Sequence, residues 1–345
     1  MKNTVLIDGS HGEGGGQVLR TALTLSVITG KPFNMINIRA RRSKSGLMAQ
    51  HLKAVEAAAK ISGANVSKIR TGSTTLLFEP KGLYHGDYQI HIETAGATTL
   101  VLQTILVPLS FANGPSYLTI TGGTHVPWAP CYHFLSEHWW HYMTEIGFAG
   151  ELKLGSAGFY PEGGGCLQAQ IAPMNSVKTL KISERGNLTT IKGISAIANL
   201  DISVAERQRQ QAEFALQNRG YEATFNIMRM PSKYKSTMLM LIAEFEKSRC
   251  CYYALGARGK RAEKVADEAV ASFFEFMDTD GAIDQYVTDQ LILPLIFAQG
   301  ESVLHTCKIT QHLKTIIDII RMFIDIDIRI DGNIGTAGFI RIFSG

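Results

Sequence analysis

The order of short β-branched runs and helical patterns repeats along the chain, and this repetition constrains the fold more than any other feature. The first pass runs strand 4–8, helix 17–29, strand 34–39, helix 46–62 and two strands near 65–70 and 75–79, a β-α-β-α-β-β unit. The same order returns as strand 88–93, helix 97–112, strand 117–121, helix 131–146 and a strand pair near 151–154 and 166–172. A third copy begins at Val177–Ile182 and resumes with helix 284–298, strand 302–305, helix 310–323 and strands 326–330 and 338–342. The pattern predicts a mixed α/β (α+β) body of three βαβαββ repeats.

The third copy is interrupted between about Ser183 and Thr279, a stretch of small-domain size. Its helix 203–218 opens with Ser203, Val204, Ala205 and Glu206, read as a capping box, and stops at Gly220. Strands 221–229, 236–245 and 250–255 follow, and Gly256-Ala257-Arg258-Gly259 leads into helix 260–277. The expected organisation is therefore a large domain of residues 1–182 and 280–345 with an α+β insert at 183–279.

Hydrophobic residues make up 45% of 345, enough for one large core or two smaller ones. A formal net charge of +4 suits a protein that meets phosphate and falls short of a polybasic binder. The five cysteines form no C-x-x-C pair, and their odd number fits free thiols in a reducing cytosol. Met1-Lys2-Asn3-Thr4 leads straight into Val5-Leu6-Ile7 without a leader pattern, and no apolar run approaches about 18 residues. A soluble, cytoplasmic protein is expected, with no membrane partner.

Three segments could carry chemistry. Asp8-Gly9-Ser10-His11-Gly12-Glu13-Gly14-Gly15-Gly16-Gln17 is a glycine-rich turn between strand and helix, which exposes backbone N–H groups to an anion. Its spacing matches neither the P-loop nor the dinucleotide fingerprint. Glu13 beside a triphosphate would require an intervening divalent metal; alternatively it only favours the helix dipole. Arg39-Ala40-Arg41-Arg42-Ser43-Lys44 is the densest basic cluster, either a phosphate seat or a solvated turn, and leads toward Gln50 and His51. Thr310 can cap a helix bearing Ile316, Ile317, Ile320 and Phe323, with His312 in its first turn, where the positive helix end keeps an imidazole neutral. His312 is one of ten histidines. His138-Trp139-Trp140-His141 reads as a partly exposed aromatic helix face, not as a zinc site, and Gly163-Gly164-Gly165 as turn geometry.

Taken together, GSHGEGGGQVLRTAL, NIRARRSKSGLMAQHL, TLVLQT, GGTHVPWAP, GFYPEGGG, YVTDQLILPLI and TQHLKTII, in this order, closely resemble the RNA 3′-terminal phosphate cyclase family over nearly the whole chain. The resemblance implies three βαβαββ repeats with a thioredoxin-like insert, and an ATP-dependent ligase acting on RNA with a 3′-phosphate. It implies that His312 attacks the ATP α-phosphate, that AMP passes to the RNA 3′-phosphate, and that the 2′-hydroxyl closes a 2′,3′-cyclic phosphodiester. It places Glu13 at a divalent metal, Mg or Mn, and Gln17, Arg20 and Gln103 at ATP. Arg39, Arg42 and Gln50 fall at the substrate phosphate. Tyr286, Val287, Thr288, Asp289 and Gln290 resemble the nucleotide-binding run. Tyr286 and Pro130 offer faces to the adenine, and Asp289 a carboxylate for ribose or for orienting His312. A homodimer is compatible with this reading. The chain departs from the family at Arg41, Ser45 and Cys131, which bears on loop shape and RNA preference. Two alternatives share the architecture: a non-catalytic, cyclase-like ribosome-assembly scaffold and a transferase resembling enolpyruvyl transferases.

Overall fold

The computed structural model describes residues 4–344; residues 1–3, part of the N-terminal reading above, lie outside them. The chain begins with β1 (Val5–Asp8), α1 (Gly16–Thr29), β2 (Phe33–Ile36), α2 (Ala49–Ser62), β3 (Asn65–Val66) and β4 (Leu76–Glu79). It continues with β5 (Asp87–His91), α3 (Thr98–Ser110), β6 (Ser116–Gly122), α4 (Tyr132–Phe134), α5 (Trp140–Glu145), β7 (Gly150–Ser156) and β8 (Gly165–Ile171). Then come β9 (Lys181–Ile182), β10 (Leu188–Ala198), α6 (Ile202–Gln217), β11 (Thr224–Arg229), β12 (Ser236–Phe245), β13 (Arg249–Leu255) and α7 (Ala262–Met277). The last elements are α8 (Gln285–Leu295), β14 (Gly300–Thr306), α9 (Gln311–Phe323), β15 (Asp327–Asp331) and β16 (Gly338–Ser344).

Three sheets share one topology. Their orders are β1-β2-β4-β3, β5-β6-β8-β7 and β9-β14-β16-β15. In each, the first pair is parallel and the other two pairs are antiparallel. The sequence explains why each sheet has a wet and a dry face: in β8, Leu167, Ala169 and Ile171 are buried while Gln168 and Gln170 are exposed. The helices take the centre. In α3 every residue of the stretch Thr104–Ser110 is buried, and α1 packs on α2, α3 and α9. This is the three-repeat α+β fold expected from the sequence.

A fourth sheet, β11-β10-β12-β13, packs α6 and α7 on a second core that includes Leu216, Leu239, Leu241, Val265, Phe273 and Phe276. Its β10–α6–β11 unit is parallel, with β12 and β13 added antiparallel, in keeping with the thioredoxin-like expectation. The central strand β10 escaped the sequence reading. Gly193 interrupts its pattern, and the structure shows why glycine sits there: a Cβ would stand 2.1 Å from the Phe225 ring.

Other local expectations are corrected. The Ser203–Glu206 capping box does not form, because Asp201 caps α6 first, accepting the Ser203 N–H at 3.0 Å. The strand expected to reach residue 39 stops at Ile36, since Asn37 and Arg39 adopt φ of 52° and 56° and fold the basic segment back. The helix expected over 131–146 is split by a π turn at Leu135–Trp139. The aromatic face is partly exposed as expected: His138 is 0% and Trp139 2% exposed, while Trp140 is half-buried and His141 exposed. His138 Nε2 lies 2.6 Å from Asp284 Oδ2, both side chains fully buried.

Candidate active site

The site forms where helix ends from different repeats meet. The glycine-rich turn after β1 lies close against α9 because Gly12 has no side chain: a Cβ there, at φ 57°, would sit 2.1 Å from Thr315 Oγ1. His11 Nε2 reaches Asp318 Oδ2 at 2.8 Å and fastens the same turn to the same helix. Glu13 is thereby carried to His312, whose Nδ1 lies 3.2 Å from Glu13 Oε2. The refolded basic segment adds Arg42, whose guanidinium is 3.6 Å from the same carboxylate oxygen. Arg41 donates to the Gly12 carbonyl at 3.3 Å.

His312 sits in the first turn of α9 as its sequence predicts. Thr310 is the N-cap, its hydroxyl accepting the Leu313 N–H at 2.8 Å. The same hydroxyl donates to Asp289, with oxygens at 3.0 and 2.9 Å. Asp289 thus supports the cap of the helix that carries His312, and does not bond the imidazole directly. Burial holds the Asp289 carboxyl well above the usual carboxylate range, against the Thr310 hydrogen bond and together with the nearby Glu13 and Asp284 charges. Burial pushes the His312 pKa down; Glu13 opposes this, while Arg20 and Arg42 reinforce it. This direction favours the neutral ring near pH 7, and the tautomer with Nδ1–H toward Glu13 would leave the Nε2 lone pair free.

His312 lines a narrow cleft with Gln17, Arg20, Gln103, Asp289 and Gln290. Arg20 donates to Gln17 at 2.7 Å, and Gln103 donates to Gln290 at 2.5 Å. Burial lowers the Arg20 guanidinium to about 10, which still leaves it a cation at neutral pH. His51 packs behind it, pushed down to about 3 by burial and by Arg20 and Arg39, and accepts the Met48 N–H at 3.1 Å. Arg39 donates to the Gly46 carbonyl at 3.1 Å and shapes the basic loop. Gln50 lies one step away, accepting the Ala97 N–H at 3.2 Å.

The remaining candidates divide. Tyr286 is 53% exposed at the start of α8 and meets Tyr252 edge-on at 6.1 Å. The Pro130 carbonyl accepts from Thr99 at 2.7 Å. Val287 and Thr288 do not line the cleft with their side chains: both are 0% exposed, because Asp284 caps α8 through the Val287 N–H and the Thr288 hydroxyl bonds the Asp284 carbonyl. The sequence reading missed Trp139, which lines the cleft and whose buried indole N–H has no partner among the described residues. Its only signal was the paired tryptophans.

Among the described residues no three His, Cys, Asp or Glu side chains converge as a metal cage. Glu13 alone fits a magnesium-like ion, which commonly takes one or two carboxylates and completes its shell with water and phosphate. No helix of the described residues is long and apolar enough to cross a membrane.

Comparison with known proteins agrees across the chain. A family model described as RNA 3′-terminal phosphate cyclase matches residues 11–330. A protein of that name from Koribacter versatilis is 40% identical over 328 residues, covering 95% of this chain and 92% of the relative. Its namesake from Archaeoglobus fulgidus is 39% identical over 329 residues, covering 95% and 98%. One from Ralstonia nicotianae is 40% identical over 338 residues, covering 97% and 96%.

Proposed function

Because this chain belongs to the RNA 3′-terminal phosphate cyclase family, we propose that it converts an RNA 3′-terminal phosphate to a 2′,3′-cyclic phosphodiester at the expense of ATP, through a histidine-AMP intermediate on His312. The observation that carries this reading is His312, 3.2 Å from Glu13 and lining a cleft of glutamines and a half-buried arginine.

In the first step His312 Nε2 attacks the α-phosphorus of ATP; the P–N bond forms as the bond to the β-phosphate oxygen breaks and pyrophosphate leaves. Glu13 takes the Nδ1 hydrogen bond and supports the positive charge that develops on the ring. In the second, an oxygen of the RNA 3′-phosphate attacks the same phosphorus, and His312 departs with its electron pair. In the third, the 2′-hydroxyl attacks the 3′-phosphorus, loses its proton, and AMP leaves. Arg20, Arg39 and Arg42 supply the cationic wall that phosphate oxygens need. A divalent ion held by Glu13 and the triphosphate would neutralise the leaving pyrophosphate.

Residues 1–182 and 280–345 form the body in this reading, and 183–279 an inserted domain with its own core. The test is incubation with ATP labelled in the α-phosphate and Mg or Mn, without RNA. Wild type is expected to take up an acid-labile, alkali-stable label that His312→Ala lacks. An unlabelled wild type under every metal overturns the nucleophile assignment and favours a non-catalytic scaffold.

A further inference from the structure

Next to the cleft lies a wider cavity of about 560 Å³. Leu100 of α3 lines it while Gln103, one turn further along the same helix, lines the cleft. Gln50, on the helix that begins beside the basic loop, forms part of its wall. The rim is aromatic. Trp128 is 101% exposed and Tyr160 is 70% exposed, and neither ring packs on another aromatic ring among the described residues. Pro127 and Pro161 flank them, and Thr94 and Gln50 supply uncharged polar groups.

Two features separate this tryptophan from an incidental surface residue. Its φ is 66°, in the left-handed region that bulky residues rarely occupy and that costs free energy unless the surroundings impose it. The surroundings do impose it. The Tyr253 hydroxyl donates to the Ala129 carbonyl at 2.9 Å and accepts the Cys131 N–H at 3.1 Å, and Thr99 holds Pro130. The loop is therefore clamped on one side of Trp128 while the indole faces solvent beside a cavity.

No charged side chain lines that cavity, so it suits a flat neutral group and not a phosphate. We propose that it seats an unpaired nucleobase at the 3′ end of the RNA, stacked on Trp128 with Tyr160 as a second wall, while the terminal phosphate enters beside Arg39 and Arg42. Every base has a π-face, so stacking tolerates sequence but requires a base free of its partner strand. The proposal rests on the RNA reading above and adds the requirement for an unpaired end.

The experiment measures anisotropy of a dye-labelled, 3′-phosphorylated single-stranded RNA, alongside cyclisation kinetics, for wild type, Trp128→Ala and Trp128→Phe. A melting curve matching wild type checks the fold of each variant. Trp128→Ala is expected to raise Kd and the KM for RNA about tenfold, with kcat within about twofold, and Trp128→Phe to recover most of the loss. RNAs made abasic at the last or the penultimate nucleotide complete a cycle. One of them should weaken wild type comparably and cost Trp128→Ala nothing further. If cyclisation is intact but Kd and KM ignore Trp128, the platform is wrong and the function stands. If binding depends on Trp128 but no adenylation or cyclisation occurs, the platform stands and the function fails.

Discussion

A ring nitrogen attacks phosphorus only while its lone pair is free. On the proposed mechanism, the direction of the His312 shift therefore sets the pH profile of the first step. Burial is the largest influence and lowers its pKa below the usual 6.5, so protonation competes only in acid. The rate of histidine adenylation without RNA is expected to be flat from about pH 6.5 upward and to fall in more acidic buffer. A rate that keeps climbing between pH 7 and 8 would mean that a group of higher pKa governs the step. At this scale the sequence told a partial story. Glu13 and His312 stood out as a carboxylate among glycines and a histidine behind a threonine cap, but their meeting across 299 positions is a product of tertiary packing. Val287 and Thr288 show the converse limit: membership of a motif does not say which face of a helix a residue occupies, and their side chains turn inward.

Two helix starts carry the site, and both are held by side chains that do a second job. Thr310 caps α9 and donates to Asp289, so Thr310→Ala removes a cap worth about 1 kcal/mol and loosens the carboxyl behind it, whereas Thr310→Ser keeps both bonds. Asp284 caps α8 and pairs with buried His138. Asp284→Ala should destabilise the fold by about 3 kcal/mol or more in urea unfolding, because it strands a buried imidazole as well as losing a cap. An effect near 1 kcal/mol would show that the pair adds little to the cap. Periodicity revealed most of these elements, since strands buried on one face and helices buried on one stripe write their period into the sequence. It missed β10 and the π turn. The first is a central strand interrupted by a glycine that a phenylalanine ring requires, and the second keeps helical composition while changing which residues face inward.

Across the molecule, three sheets with one strand order surround a helical centre, and the fourth sheet reaches back to the site through β13, where Tyr252 meets Tyr286 and the next residue holds the loop around Pro130. Tyr253, on β13, holds both ends of the segment Ala129–Cys131 that contains Pro130. Tyr253→Phe leaves the Cys131 N–H without its partner and should cost about 1–3 kcal/mol. It should also raise the KM for ATP more than it lowers kcat, since it frees Pro130, which the proposed reading sets against the adenine. An unchanged KM with lowered stability would confine Tyr253 to scaffolding. The triple repeat was legible because each copy spells out the same alternation. The convergence of α1, α3, α8 and α9 was not, because it depends on how separate copies pack and no local pattern encodes that. It has one more consequence. The cleft is complete only when residues from the first, second and third repeats are all present, from Glu13 through Gln103 to His312. On the proposed mechanism, a ribosome making this protein exposes the arginines assigned to phosphate well before it delivers His312, and a nascent chain would gain its chemistry only as α9 emerges and docks.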